Sequence, residues 1–322
     1  MVEVFLLTTD PTSSKVGKVS AWLDSLQESL PNKLHLIDLR HQRFFEKRPE
    51  ETLIVRVDEI EAVDPDNLES LRQVLIDATN RANSPDYRPT GAKDRLSGRE
   101  RFSLWFSRHY LALVNIILAV YVFLPILAPV MMKLGQTEAA NRIYRLYRPL
   151  CHQLAFRSFF LFGEQAHYPL DVPVGTDLLS YSEISGNSGE DLWLASEFTG
   201  NAQAGYKIAL CQRDVAIYGS ILLFGIVFAL TRRKLKPLPW WLWILLAIAP
   251  MGLDGVWQLV SRLDLSFLGW LPSRESTPFL RVLTGAAFGW FTAWFGYPTI
   301  EESTAASRIH LEAKSAIERQ RR

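Results

Sequence analysis

The sequence predicts an all-α membrane domain of about four transmembrane helices and one interfacial helix, preceded by a cytoplasmic α/β domain. Residues 110–132 carry no charged side chain, and a spanning helix needs about 20 predominantly apolar residues. Further apolar stretches follow at 215–231, 240–260 (interrupted only by Asp254) and 282–300. Residues 1–108 are instead mixed and charged. Several of the ten Trp residues stand at the ends of apolar stretches, as in the aromatic belts of membrane proteins.

Residues 1–82 predict a small α/β domain, because strand-length apolar runs alternate with segments of helical periodicity. The predicted order is β-α-β-β-α, which resembles a thioredoxin- or glutaredoxin-like domain. A redox domain of that kind needs a cysteine after its first strand, where this chain has Thr8–Ser13. We therefore expect a docking or regulatory module without thiol chemistry. The predicted elements are strands Val2–Leu7, Leu34–Leu39 and Thr52–Val57, helices Ser13–Leu30 and Asn67–Ala78, and a short helix near Gln42–Lys47.

Basic flanks predict the topology of the membrane domain. Residues 83–108 form a linker that becomes basic before the first span, and further basic groups lie at 232–236 and in the charged tail 301–322. With four spans over residues 109–300, all of these fall on one side, which the positive-inside rule assigns to the cytoplasm. We therefore expect an inner-membrane protein with both termini inside. The sequence starts without a basic signal-peptide region, in keeping with a cytoplasmic N-terminus.

The connection over residues 133–214 would then lie outside. Residues 138–162 have helical character with Arg142, Arg145 and Arg148 spaced by three, and a helix lying in the membrane interface fits this pattern. These arginines oppose the positive-inside rule, but the rule has little force in a connection of about 80 residues. Residues 163–209 are polar, with Gly and Ser clusters, and predict an exposed loop.

Four polar motifs flank or interrupt the apolar stretches, and all four fall at the external face in this topology. Ionisable groups at membrane depth cost roughly 2.5–3.5 kcal/mol each on insertion scales, so they usually serve a function. The motifs are Cys151-His152-Gln153 with Arg157 after it, Cys211-Gln212-Arg213-Asp214, Asp254-Gly255 with Gln258, and Arg274-Glu275-Ser276-Thr277 followed by Arg281. Their coincidence at one face predicts a single polar site.

The order and spacing of these motifs resemble a large family of uncharacterised prokaryotic membrane proteins, the family of domain of unknown function 2085. The resemblance covers residues 146–163 and 210–290. Many members carry a further Cys after Cys-x-Arg, where this chain has Asp214, which weakens a cysteine-rich metal scheme. The resemblance implies a membrane location and supplies no activity.

The two cysteines allow several roles. A disulfide between Cys151 and Cys211 is the preferred interpretation, because both fall on the oxidising side of the membrane. A metal site would instead use Cys151, Cys211 and Asp214 together with His152, and zinc is the candidate cofactor because it favours these ligand types. Both Cys151 and its neighbour His152 could bind one metal only if the helix breaks there. Reactive or inert thiols are the remaining alternatives.

The other polar residues suggest a reaction or a ligand. His152 and Asp254 are the candidate catalytic groups, His152 because its ordinary pKa is near neutral. Asp254 could equally form a structural ion pair with Arg281 or Arg213. The candidate ligand-binding residues are Arg157, Arg213, Gln258, Arg274 and Arg281, and arginines in excess of carboxylates suit an anionic lipid or lipid-linked ligand. A non-catalytic sensor or scaffold and a small transporter remain alternatives. The net charge of +1 gives no sign of nucleic-acid binding. Beyond the lipid bilayer, a second copy of the chain is the other candidate partner.

Overall fold

The computed structural model describes residues 2–8, 10–30, 32–38, 53–57, 60–63, 67–82, 96–170, 172, 176–260 and 275–320. The chain forms two compact units. The first contains residues 1–108 and 304–322, and the second contains residues 109–303.

The first unit contains the predicted α/β region. A four-stranded sheet has the order β2-β1-β3-β4, with β1 parallel to β2 and antiparallel to β3. Two amphipathic helices bury Val19, Leu23, Leu71 and Leu75 in the core of this unit. The elements are β1 (Val2–Thr8), α1 (Ser14–Ser25), β2 (Asn32–Asp38), β3 (Leu53–Val57), β4 (Ile60–Val63) and α2 (Leu68–Ala82). The three predicted strands and two predicted helices are confirmed, β4 was missed, and the short helix near Gln42–Lys47 lies outside the described residues.

The basic linker and the charged tail are more ordered than predicted. Helix α3 (Gly98–Lys133) begins within the predicted linker, and α10 (Pro278–Gln320) continues through the tail. Within the first unit the two ends are paired: Arg108 binds Glu312 at 3.0 Å, and the Glu312 side chain is only 1% exposed. This part of the charged tail is therefore buried against α3 through an ion pair between the two helices.

Three helices of the described residues are long and apolar enough to cross a membrane by length and composition. They are α3, α7 (Gln212–Leu230) and the helix Trp240–Val260, in which α8 (Trp240–Trp243) passes through a π-helical turn (Ile244–Ile248) into α9 (Ala249–Val260). Large apolar side chains of α3, such as Ile117 at 66% exposure, face outwards as lipid contact requires. The fourth predicted span, 282–300, lies within α10, whose glycines and threonines lower its hydropathy; α10 does not meet the same criterion.

A small folded layer over residues 137–211 takes the place of the predicted exposed loop, 163–209. It contains α4 (Thr137–Tyr147), β5 (Ser158–Leu161), α5 (Tyr181–Ser185), α6 (Leu192–Glu197), β6 (Gly200–Asn201) and β7 (Gly205–Cys211). The strands form an antiparallel sheet of order β5-β7-β6. The predicted helical segment 138–162 ends early, at Tyr147, and becomes a strand at Ser158. The loop prediction failed because its Gly and Ser clusters are turns between short elements.

Aromatic residues form the core of this layer. Four rings, each at most 3% exposed, pack edge to face in pairs and share a buried cluster with Ala195: Phe156 with Tyr181, and Phe160 with Tyr168. Lys207 on β7 is fully buried, and its ammonium donates to the carbonyl oxygens of Gln153 at 2.8 Å and Ser196 at 2.6 Å. These bonds join β7 to the segment after α4 and to α6. The lysine therefore holds the backbone just after Cys151 in place.

Candidate functional site

Cys151, Cys211 and Asp214 come together as a thiol cluster. The two sulfur atoms and a carboxylate oxygen of Asp214 all lie within 4.8 Å of one another. The backbone N–H of Cys211 donates to the sulfur of Cys151 at 3.3 Å, and the N–H of Asp214 donates to the sulfur of Cys211 at 3.4 Å. Both sulfurs therefore accept a hydrogen bond from the backbone.

The local fold explains this convergence. Cys211 is the last residue of β7, pairs with Ser158 of β5, and is also the N-cap of α7. Asp214 is three residues further on and so shares one side of the first helical turn with Cys211. Cys151 follows the end of α4 and is held in a buried cluster with Tyr144, Tyr147 and residues of β7. A strand-to-helix junction thus meets the end of a second helix.

The two cysteines are free thiols in this structure, so the preferred Cys151–Cys211 disulfide is not formed in it. The Cys151 thiol donates to the Cys211 sulfur, which lowers the pKa of Cys211 and raises the pKa of Cys151. Cys211 also lies at the N-terminus of α7, where the helix dipole favours negative charge. Cys211 is therefore the thiol of the pair that ionises first.

Glu275 is the centre of an arginine–glutamate network. The guanidinium of Arg157 donates to both of its carboxylate oxygens, from Nε to Oε1 at 2.7 Å and from Nη2 to Oε2 at 3.1 Å. Arg281 pairs with the same carboxylate, and the amide of Gln258 donates to it at 3.1 Å. Arg281 also donates to the Gln212 side chain at 3.4 Å. The network therefore joins the residues before β5, helix α9, residue 275 and helix α10.

Asp254 forms a second charged pair. Its carboxylate binds the guanidinium of Arg213 and accepts a hydrogen bond from the Ser276 hydroxyl at 2.9 Å. Asp254 therefore forms the structural ion pair that was one of its two predicted roles, and Arg213 is its partner. The Nε atom of Arg213 is buried and has no hydrogen-bond partner among the described residues. One donor of this guanidinium thus points at no protein acceptor in the described part of the chain.

The structure brings most of the predicted site residues together. Cys151, Cys211 and Asp214 form one cluster, while Arg157, Gln258 and Arg281 surround Glu275, and Arg213 pairs with Asp254. His152 is exposed beside the buried Cys151 and does not belong to the thiol cluster. Its side chain diverges from that of Cys151, as adjacent residues of one chain do. Arg274 lies outside the described residues.

Three polar residues of the site were not selected from the sequence. Glu275 and Ser276 belong to the motif Arg274–Thr277. Glu275 accepts from Arg157, and Ser276 donates to Asp254. Their position between Arg274 and Arg281 was the feature of the sequence that could have marked them as partners of arginines. His167 is half-buried, and burial, followed by the positive charge of Arg281, lowers its pKa. It fell in the predicted exposed loop, so no sequence signal marked it.

Comparison with known proteins agrees with the membrane assignment. Residues 202–295 match a family model described as a predicted membrane protein, DUF2085. An uncharacterised protein of Methanocaldococcus jannaschii is 24% identical over 204 residues, which cover 61% of this chain and 95% of that relative. No solved structure matches the chain. The matched family residues include Cys211, Arg213, Asp254 and Arg281, so the similarity extends across the site and supports a membrane protein of unknown function.

Proposed function

We propose that this membrane protein binds a thiophilic divalent metal ion, with zinc the best candidate, through Cys151, Cys211 and Asp214. The observation that carries the proposal is the approach of three ligand atoms to within 4.8 Å of one another, contributed by two remote segments of the chain. Zinc is held in proteins by thiolate, imidazole and carboxylate groups. A site with three protein ligands leaves one position for water or substrate, as catalytic zinc sites do.

The chemistry of the ligands supports the proposal. A metal needs deprotonated thiols. Cys211, whose pKa is lowered, would bind first, and the metal would then displace the proton of Cys151, whose pKa is raised. The Cys211-x-x-Asp214 spacing places two ligands on one helical turn, in the way that a Cys-x-x-Cys pair would. Asp214 therefore takes the place of a third cysteine as an oxygen ligand. His152 is not part of this ligand set.

We further propose four spans with both termini in the cytoplasm of an inner-membrane protein, so that the metal site lies at the external face. Supporting this, the hydroxyl of Tyr110 near the start of the α3 span donates to Glu301 on α10 at 3.0 Å. Arg233, just after α7, also pairs with Glu301, at 3.3 Å. Residues 282–300 would extend about 28 Å as a helix, close to the thickness of a bilayer core.

The N-terminal domain is proposed to be thioredoxin-like and non-redox. The strand order β2-β1-β3-β4, with a single parallel pair, supports this interpretation. Its first strand ends at Thr8 and is followed by Asp10 and Pro11 in place of a cysteine, so a docking role is the function that this domain would serve.

Metal analysis tests the metal proposal. The detergent-solubilised protein would be stripped with chelator, incubated with zinc and dialysed, and its zinc content and free thiols would be measured. We expect about one zinc per chain in the wild type, loss of zinc in Cys211→Ala and weaker retention in Asp214→Asn. Asp177→Asn is the matched control, because Asp177 is an exposed carboxylate of the same unit.

Two outcomes would overturn the proposal. Protein without zinc and without free thiols contains a Cys151–Cys211 disulfide. If the protein has two free thiols and retains no zinc, the thiols do not serve as metal ligands. Equal zinc retention by Asp214→Asn and Asp177→Asn would remove Asp214 from the ligand set.

A further inference from the structure

The arginines beside the thiol cluster are arranged for more than holding the helices together. Arg213 lies between the ligands Cys211 and Asp214 in sequence, and Arg281 donates to the side chain of Gln212, the residue after Cys211, at 3.4 Å. Arg281 is 3% exposed and Arg213 is largely buried. Both guanidinium groups therefore lie beside the segment that carries two of the three proposed ligands.

The charges also leave one guanidinium in excess. Arg157, Arg213 and Arg281 share the carboxylates of Glu275 and Asp254 among the residues that the structure describes. Asp214 belongs to the thiol cluster and is not counted with them. Leaving a buried donor of a charged group without an acceptor costs free energy, and the Nε–H of Arg213 is such a donor. An anion bound beside Arg213 would accept a hydrogen bond from this donor.

We propose that a phosphate-type oxyanion binds at Arg213 and Arg281, next to the open position of the metal. The proposal rests on the proposed metal site and names the class of ligand which that site receives. Arginine binds phosphate oxygens through two parallel N–H donors, and such charge-assisted bonds are about twice as strong as neutral ones. The oxyanion is supplied either by free phosphate or by the headgroup of an anionic lipid at the membrane surface.

The experiment uses the full-length protein in dodecyl maltoside, a detergent without phosphate. Inorganic phosphate is titrated by calorimetry in the first arm, and short-chain phosphatidic acid is titrated in the second. Arg213→Lys keeps a positive charge for Asp254 but removes the Nε donor. Arg233→Lys is the matched control, because the Arg233 side chain is 18% exposed against 19% for Arg213, and each pairs with a carboxylate that is 13% exposed.

We expect at least about a ten-fold loss of affinity in Arg213→Lys, the scale of one lost hydrogen bond to a charged group, and unchanged affinity in Arg233→Lys. Arg281→Lys is a second variant with the same expected direction. Binding of inorganic phosphate identifies free phosphate as the source, and binding of phosphatidic acid alone identifies a lipid headgroup.

Absence of binding in both arms, or equal losses in Arg213→Lys and Arg233→Lys, overturns the oxyanion proposal. Zinc content measured on the same samples separates the two proposals. Zinc-loaded protein that binds neither probe overturns the oxyanion site alone. Protein that binds phosphate through Arg213 but retains no zinc overturns the metal site.

Discussion

Neutralising Glu275 should destabilise the membrane unit far more than neutralising a similar glutamate at its surface. The Glu275 side chain is 9% exposed and pairs with Arg157 and with Arg281, which is 4% exposed. Glu275→Gln leaves these two guanidinium groups close together without a counter-charge. Removing one partner of a buried ion pair costs about 3–5 kcal/mol, because the remaining charge stays desolvated.

The pair of Arg148 with Glu197 provides the control. Its N–O distance is 2.6 Å, but the side chains are 46% and 37% exposed. Exposed pairs contribute about 0–1 kcal/mol, since water and salt screen both charges. Glu197→Gln makes the same chemical change in the same unit, so the two variants differ mainly in burial.

The free energy of unfolding can be measured by titrating sodium dodecyl sulfate into dodecyl maltoside micelles while following Trp fluorescence. We expect Glu275→Gln to lose at least about 3 kcal/mol and Glu197→Gln at most about 1 kcal/mol. Raising the salt concentration should reduce only the effect of Glu197→Gln, because buried charges are screened less. Equal losses in the two variants would refute the assignment of the arginine–glutamate network as a buried structural ion cluster.

Three further predictions concern other parts of the same unit. A Cβ at Gly289 would clash with the carbonyl oxygen of Ile217 and the hydroxyl of Ser220, whereas a Cβ at Gly296 would meet nothing within 4 Å. Gly289→Ala should therefore lower the melting temperature, and Gly296→Ala should not. Burial lowers the pKa of Lys207 to about 7 from 10.5, so the unfolded state binds more protons between these values and stability should rise with pH in that window. This rise should be absent in Lys207→Met but retained in Lys234→Met, an exposed control, when melting curves are compared from pH 7 to 10. Oxidation with diamide should form a disulfide between Cys151 and Cys211, since their sulfurs are within 4.8 Å of each other. Bound zinc should slow this oxidation, which is followed by mass spectrometry of the cross-linked peptides. An oxidation rate that zinc does not change would show that the thiols bind no zinc.

The elements governed by periodicity could be predicted from the sequence. Helix α1 and strand β1 follow apolar spacing, and the apolar helices α3 and α7 follow uninterrupted hydropathy. The layer between α4 and α7 could not be predicted in this way. Its strands are two to seven residues long, and its core depends on contacts such as that of Phe160 with Tyr168, which no local pattern encodes.

The sequence was sufficient to predict which residues belong to the candidate site, but not which arginine pairs with which carboxylate. The sequence placed Arg157, Arg213 and Arg281 near one face because membrane topology groups the ends of alternate helices. Which carboxylate each arginine would meet depends on helix rotation, which hydropathy does not determine. The separation of His152 from Cys151 likewise depends on where α4 ends, and the helical periodicity of residues 138–162 continued past that point.

The first turn of α7 connects the metal proposal to the ion pairs. Cys211 and Asp214 belong to the thiol cluster, while Arg213 between them binds Asp254 of α9. Gln212, fully buried, donates to the carbonyl of Ser158 at 3.3 Å and accepts from Arg281. Four consecutive residues thus have fixed partners on four different segments, so none can move alone. A metal bound at Cys211 and Asp214 would hold this turn in place, and the turn positions Arg213 directly and Arg281 through its hydrogen bond to Gln212.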